Sequence, residues 1–144
     1  MATFSRASAR LVIAGVLIAL LASCRPMNSA EANLFVATND LREEQGLPAL
    51  AQQETLVDQA RAWAGALAAR GQLAHSDPHQ WNVAWTAVAE NVGASGSMDE
   101  IVDSLEASAD HRHNMLSTKY SHMAVGTARG KDGRIYAVQL FWHG

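Results

Sequence analysis

Cysteine is almost absent from this chain, since Cys24 is the single one among 144 residues. One cysteine excludes an intrachain disulfide framework, so the fold must rest on a hydrophobic core, which a chain of this length can build. Charged residues are also few, at 17% against 49% hydrophobic residues, a balance typical of one globular domain. The sequence has no internal repeat and no basic stripe, and its formal net charge of −3 argues against nucleic acid as a partner.

Long hydrophobic runs are missing as well. The apolar run at residues 11–21 is shorter than the roughly 20 residues of a transmembrane helix. Arg6 and Arg10 precede it and no acidic residue occurs before Cys24, which is the pattern of a secretory signal. The run ends in "LASC", which resembles the lipobox of bacterial lipoproteins, although a chance cysteine after an ordinary signal peptide is the alternative. We therefore expect residues 1–23 to be a signal peptide and the chain to be secreted and anchored at the cell envelope by lipid on Cys24.

The remaining chain is expected to form a polar tether at residues 24–30 and one domain at residues 31–144. Apolar residues at helical spacing predict a first helix from about Ala30, ending near Gly46. A second helix, closed by Gly71, is predicted from one apolar stripe: Leu56, Ala60, Trp63, Ala64 and Leu67.

The second half of the domain alternates between loops, strands and helices. Residues 72–83 read as an irregular loop and residues 87–92 as a short strand. A third helix is predicted to open at Ser97, with Glu100 completing a capping box. Two strand-like runs near the end are joined through "GKDG", a hairpin signal. Three strands with helices on both sides predict an α+β layered domain.

The periodic apolar pattern of the core does not account for four polar residues: His75, Glu90, His111 and Asn114. Two imidazoles and a carboxylate are donors that suit zinc and leave room for water. These residues come from three separate elements, so their spacing alone leaves open whether they share a site.

Several short motifs follow one another along the chain. They are "NDLREEQGLPAL" (39–50), "WA" (63–64), "LAHS" (73–76), "AENV" (89–92), "DHRHNML" (110–116), "VG" (125–126) and "YAVQLF" (136–141). In this order they resemble the CAP superfamily, the SCP-like extracellular proteins related to cysteine-rich secretory proteins, antigen 5 and plant pathogenesis-related proteins. The resemblance is greatest to the small bacterial branch and covers about residues 32–142.

The resemblance implies a three-layer α-β-α sandwich with a small central antiparallel sheet and a surface cleft. Family members present two histidines and two acidic residues in that cleft, and in some the histidines bind a divalent cation, commonly zinc. Carried over to this sequence, the histidine of "HS" is His75, the glutamate of "EN" is Glu90 and the histidine of the bacterial "HRxN" pattern is His111.

The sequence departs from the family pattern at four positions. Ser108 stands where a second acidic residue is expected, and Leu105 replaces the usual tryptophan. Asp110 replaces a glycine; aspartate tolerates left-handed backbone, so a conformational or capping role is favoured over an added carboxylate near the site. Tyr136 stands where animal and plant members are expected to have a cleft histidine, which makes His111 depend on the bacterial pattern alone.

The other histidines are expected to take no direct part: His79, His113, His122 and His143. Asn114 follows His111 by one helical turn, and we favour a structural hydrogen bond over ligand contact for it.

Three functions remain open at this stage. The first is a non-catalytic binding module with a divalent-metal-capable cleft for a small, lipidic or envelope ligand, favoured because no activated nucleophile is recognisable. The second is a metal-assisted hydrolase or protease in which Glu90 acts as the base toward metal-bound water. The third is lipid or sterol binding, for which Trp81 and Trp85 in the cleft loop are the candidate contacts.

Overall fold

The computed structural model of the protein describes residues 25–144, so the predicted signal peptide and Cys24 lie outside the described residues. In chain order the elements are α1 (Ser29–Glu44), β1 (Ala51–Gln52), α2 (Glu54–Arg70), β2 (Ala87–Ser95), α3 (Met98–Ala107), α4 (Ala109–Leu116), β3 (His122–Arg129) and β4 (Ile135–His143), with a 3-10 turn at Pro78–Gln80. None of the helices in residues 25–144 is long and apolar enough to cross a membrane.

Local capping signals determine where α1 begins and where α2 ends. At the start of α1, the Asn28 side chain accepts from the Glu31 N–H at 2.9 Å, and the Glu31 carboxylate accepts from the Asn28 N–H at 3.0 Å. At the end of α2, Gly71 has a φ of 65°, a left-handed conformation that favours glycine. Gly71 was predicted as this stop signal.

The predicted capping box of α3 is only half formed. The Ser97 hydroxyl accepts from the Glu100 N–H at 3.3 Å, as expected. The Glu100 carboxylate, however, accepts from the hydroxyl of Ser95. Strand β2 extends to Ser95, three residues beyond the prediction, and this places a competing donor beside the helix start.

The four strands form one mixed sheet in the order β1-β3-β4-β2. β4 pairs antiparallel with both β2 and β3, which confirms the predicted terminal hairpin. The structure adds a strand that the sequence did not predict. This strand, β1, pairs parallel to β3 over two residues, so the sheet is mixed and not purely antiparallel as predicted. A two-residue strand is too short to show a period.

Two apolar clusters, one on each face of the sheet, hold the layers together. α2 packs on one face with alternate strand residues such as Tyr136, Val138 and Leu140. α1, α3 and α4 pack on the other face with Met123 and Phe141. The predicted α-β-α sandwich is confirmed, because strand residues that alternate in sequence belong to opposite clusters.

A buried arginine joins α1 to the end of α4. Arg42 is 1% exposed, and its guanidinium donates to three carbonyl oxygens: those of Pro48 at 2.9 Å, Met115 at 2.8 Å and Ser117 at 2.8 Å. Burial lowers the pKa of Arg42. The last carbonyls of a helix carry partial negative charge, which favours a cation there. Arg42 thereby holds α4, the helix that carries His111.

Candidate functional site

Glu90 lies at the centre of a hydrogen-bonded cluster that joins two segments. Its Oε1 accepts from the Ser76 N–H at 2.8 Å and lies 2.8 Å from His75 Nδ1; its Oε2 accepts from the Ser76 hydroxyl at 2.6 Å. The Glu90 side chain is 6% exposed, whereas that of His75 is 64% exposed. Because an ionised carboxylate only accepts hydrogen bonds, it keeps the hydrogen of a neutral His75 on Nδ1 and leaves the Nε2 lone pair for a ligand.

Ser76 connects this cluster to a buried tryptophan. Trp81 is 4% exposed, and its indole N–H donates to the Ser76 hydroxyl oxygen at 3.0 Å. The Ser76 hydroxyl therefore accepts from one side of the loop while it donates to Glu90. Two segments that are fourteen residues apart in sequence are joined in this way, and the loop that presents His75 is held against β2.

Removing this hydroxyl tests its part in the cluster. Ser76→Ala is expected to lower the free energy of unfolding by about 1–2 kcal/mol, because the Trp81 indole loses its buried acceptor. Urea unfolding followed by circular dichroism measures the change. Ser104→Ala, at an exposed position on α3, is the matched control and is expected to stay within about 0.5 kcal/mol of the parent protein. An equal, small effect of both changes would contradict the role given to Ser76.

His111 reaches the same edge of the sheet from the opposite layer. On β2, Val88 and Val92 pack with α2, so by alternation Glu90 faces α2 and Asn91 faces the layer of α4. The Asn91 amide donates to the His111 carbonyl oxygen at 3.1 Å. Because β2 is an edge strand, groups from the two layers can meet around it.

The surroundings of the His111 ring favour its neutral form. Burial lowers the pKa of His111, and the nearby charge of His75 lowers it further, while Asp110 acts in the opposite direction. His111 Nδ1 is buried and has no hydrogen-bond partner among the described residues.

A chain of buried amides and a hydroxyl holds α4 against the sheet and α1. The Asn114 amide donates to Asn91 Oδ1 at 2.9 Å, and Asn91 donates to Gln139 Oε1 at 3.0 Å. Gln139 donates to the Thr38 hydroxyl at 2.7 Å, and Thr38 donates to the Leu34 carbonyl at 2.8 Å. The side chain of Asn114 thus makes a structural hydrogen bond, and the backbone of His111 is tied to the same network.

The structure shows where three of the residues that depart from the family pattern lie. Ser108 joins α3 to α4 and its side chain does not cap α4. Asp110 lies exposed in the first turn of α4, where a carboxylate suits the helix dipole. The left-handed backbone considered for Asp110 is wrong, since none of the described non-glycine residues has a positive φ. The Tyr136 hydroxyl donates to Asp132 at 2.7 Å, beside the β3–β4 turn.

The remaining histidines have other contacts. The ring of His79 packs against Trp85 with centroids 5.8 Å apart, and His113 lies exposed in the last turn of α4. His122 and His143 each contact the Ser121 hydroxyl through Nδ1, at 2.8 and 2.9 Å.

Two imidazoles completed by water are the kind of donor set that holds a divalent cation. In residues 25–144 there is no group of three or more histidine, cysteine, aspartate and glutamate side chains placed to hold a metal ion. Glu90 supports His75 through Nδ1, the usual role of a carboxylate behind a histidine ligand. The metal ligands His75 and His111 stay a prediction, with Glu90 as the group that orients the first.

Ser76, Asn91 and Gln139 were not singled out from the sequence as site residues. Each had a signal, because each stands in a motif that carries the resemblance: "LAHS", "AENV" and "YAVQLF". Asn91 and Gln139 are fully buried, and a buried polar residue inside a strand requires a partner.

Comparison with known proteins gives the family and three structural relatives. The family model described as CAP, the cysteine-rich secretory protein family, matches residues 35–141. No curated protein shows a significant match. An outer surface protein of Borrelia burgdorferi is similar in structure, with a TM-score of 0.73 and 17% identity over 82% of this chain and 95% of that one.

Two longer bacterial proteins share the fold. An extracellular protein of Bacillus anthracis that contains an SCP domain has a TM-score of 0.70 and 19% identity, covering 83% of this chain and 45% of its own. A cysteine-rich secretory protein of Staphylococcus aureus has a TM-score of 0.63 and 24% identity, covering 83% of this chain and 41% of its own. This chain spans less than half of each. The family match extends over most of the described domain, and the chain therefore belongs to the CAP family of cysteine-rich secretory proteins.

Proposed function

We propose that this chain is an extracellular, lipid-anchored binding domain whose cleft takes a divalent cation, zinc or a similar metal, through His75 and His111. The observation that carries the proposal is the 2.8 Å contact between His75 Nδ1 and Glu90 Oε1, which orients an exposed imidazole with Nε2 free for a ligand. Burial and the charge of His75 lower the pKa of His111, which favours the uncharged imidazole that a metal ion needs. A bound cation would have coordination positions filled by water, and a small or envelope-derived ligand could replace that water.

The cluster favours binding over hydrolysis. A general base toward metal-bound water needs a carboxylate lone pair that the water can reach. Both oxygens of Glu90 accept hydrogen bonds from Ser76, and one also contacts His75. The lipid-binding alternative loses one of its two aromatic contacts, because Trp81 is buried and donates to Ser76.

The metal site is tested by titration calorimetry with zinc chloride on the purified protein. The double variant His75→Ala/His111→Ala is expected to bind zinc at least tenfold more weakly than the parent, because both proposed ligands are gone. The matched control is His79→Ala/His113→Ala, which removes the same number of imidazoles at exposed positions and is expected to keep the parent affinity. Equal binding by the site variant and the parent would place the metal elsewhere.

The supporting role of Glu90 is tested separately. Glu90→Gln keeps the size of the side chain but removes the charge that holds the His75 Nδ1 hydrogen. We expect zinc affinity to fall by about 10- to 100-fold, with no change in the number of bound ions. Unchanged affinity would remove Glu90 from the site. Metal-dependent turnover of an ester or peptide library by the parent, lost in Glu90→Gln, would favour the hydrolase instead.

A further inference from the structure

Residues 25–28, called here the N-terminal clasp, are held against the domain. The Arg25 N–H donates to Glu54 Oε2 at 3.0 Å, and the Arg25 carbonyl accepts from the Gln52 amide at 3.1 Å. The Pro26 carbonyl accepts from Arg61 at 2.7 Å. Arg25 also forms an ion pair with Asp58. The backbone that follows Cys24 is therefore bound to the first turns of α2 from its first residue.

The clasp continues to the outer edge of β3. The Asn28 amide donates to the Thr127 hydroxyl at 3.2 Å, and the same residue caps α1. β1 pairs with β3 only at His122 and Met123, so the outer edge of β3 beyond these residues has no strand partner among the described residues. Covering such an edge is a common way to prevent pairing with another chain. The clasp therefore lies at the β3 side of the sheet.

The candidate site lies at the opposite edge of the same sheet. Glu90 is on β2, which is the last strand in the order β1-β3-β4-β2. Across the sheet it pairs with Leu140, which pairs in turn with Ala124 of β3. Adjacent strands are about 4.8 Å apart, so the site strand lies about 10 Å from β3 and about 14 Å from β1. His75 contacts Glu90 of β2, and the His111 backbone contacts Asn91 of the same strand, at the edge away from the clasp.

We infer that the membrane lies against the clasp edge of the domain and that the cleft opens away from it, toward water-soluble ligands. This inference rests on the proposed lipid anchor at Cys24. One residue spans at most about 3.6 Å, so an acyl anchor on Cys24 would be attached to the chain directly before Arg25, the first residue of the clasp. The surface that meets the lipid headgroups is formed by the clasp and the first turn of α2. Lipids of the anchoring bilayer then lie beyond the reach of His75.

Charge compensation makes this surface compatible with anionic headgroups. Asp58 is paired with Arg25, and the buried Glu31 is paired with Arg61 at 2.7 Å. Glu54 accepts from the Arg25 N–H and the Gln52 amide, so this surface keeps one carboxylate without a cationic partner, and the repulsion from anionic headgroups is limited to that charge.

The orientation is tested on the lipidated protein reconstituted in vesicles of phosphatidylethanolamine and phosphatidylglycerol. The vesicles carry a photoactivatable diazirine on the phosphatidylethanolamine headgroup, and labelled peptides are measured by mass spectrometry. We expect at least threefold more label on residues 25–28 and 54–58 than on residues 72–86. Equal labelling, or more label on residues 72–86, overturns the proposed orientation.

Two double variants test the contribution of the clasp to the orientation, separately from that of the lipid anchor. Glu54→Ala/Asp58→Ala removes the two carboxylates that bind Arg25. Because it alters the 54–58 peptide itself, the label on residues 25–28 alone is compared with that on residues 72–86, and this ratio is expected to fall at least twofold. Asp99→Ala/Asp103→Ala makes the same charge change at exposed positions on α3 and is expected to leave the ratio unchanged. An unchanged ratio in the first variant shows that the clasp does not orient the domain.

Lipidation of Cys24 is tested separately, by the intact mass of the protein extracted from membranes. A mass without acyl chains overturns lipidation as part of the proposed function. In that case the Cys24 thiol is coupled to a maleimide lipid, and the same labelling comparison decides the orientation.

Discussion

Gly126→Ala is expected to lower the free energy of unfolding by about 3 kcal/mol or more, the upper range for overpacking. Gly126 lies on β3 where α2 crosses it. A Cβ at this position would overlap the backbone of Ala60 and Arg61. Backbone atoms cannot rotate aside, so α2 must move away from the sheet. The residues that follow α2 include His75, and zinc affinity is expected to fall together with stability.

The matched control is Gly65→Ala in the middle of α2. A Cβ at Gly65 meets nothing within 4 Å. Alanine is favoured over glycine in a helix, so this variant is expected to gain about 0.5–1 kcal/mol. Urea unfolding of both variants measures the difference. A loss below 1 kcal/mol in Gly126→Ala would show that the close approach of α2 and β3 is not required.

Arg42→Met is expected to lower the free energy of unfolding by about 3–5 kcal/mol. The substitution keeps much of the apolar stem but removes every donor to the carbonyls of Pro48, Met115 and Ser117. These oxygens would remain next to a methionine that cannot donate. Because two of them belong to the end of α4, the helix that carries His111 is expected to loosen as well.

Arg112→Met on α4 is the control for Arg42→Met. It makes the same substitution at a partly exposed position and is expected to change stability by no more than about 0.5 kcal/mol. Chemical denaturation measures both, and zinc titration of the folded variants measures the effect on the site. Similar stabilities of the two variants would mean that the three carbonyl bonds of Arg42 contribute little.

The elements that could be predicted are those with local signals. The apolar stripe of α2 and its glycine stop, the Ser97 start of α3 and the terminal hairpin each depend on residues within a few positions of one another. Such signals act through backbone conformation and capping, which the neighbouring residues control. The order of the motifs along the chain extended the prediction from single elements to the whole layered fold.

The contacts that could not be predicted join distant segments. β1 forms because Ala51 and Gln52 meet the start of β3, about seventy residues later in the chain. Glu90 was expected in a set with two histidines, and it contacts one of them, His75; that Ser76 donates to both of its oxygens was not predicted. A short stretch of sequence does not show which group will donate a hydrogen bond to a buried carboxylate. That donor comes from a distant segment and depends on how the layers pack.

By itself the sequence determined the class of fold and the helix stops, since these depend on periodicity and on short motifs; the residues of the cleft it only predicted. Only the tertiary structure decided that Glu90 supports His75, that Arg42 holds α4, and that residues 25–28 are bound at the sheet edge opposite to the site. The physical reason is that buried polar groups must all find partners at once, and these partners are fixed only when the three layers come together.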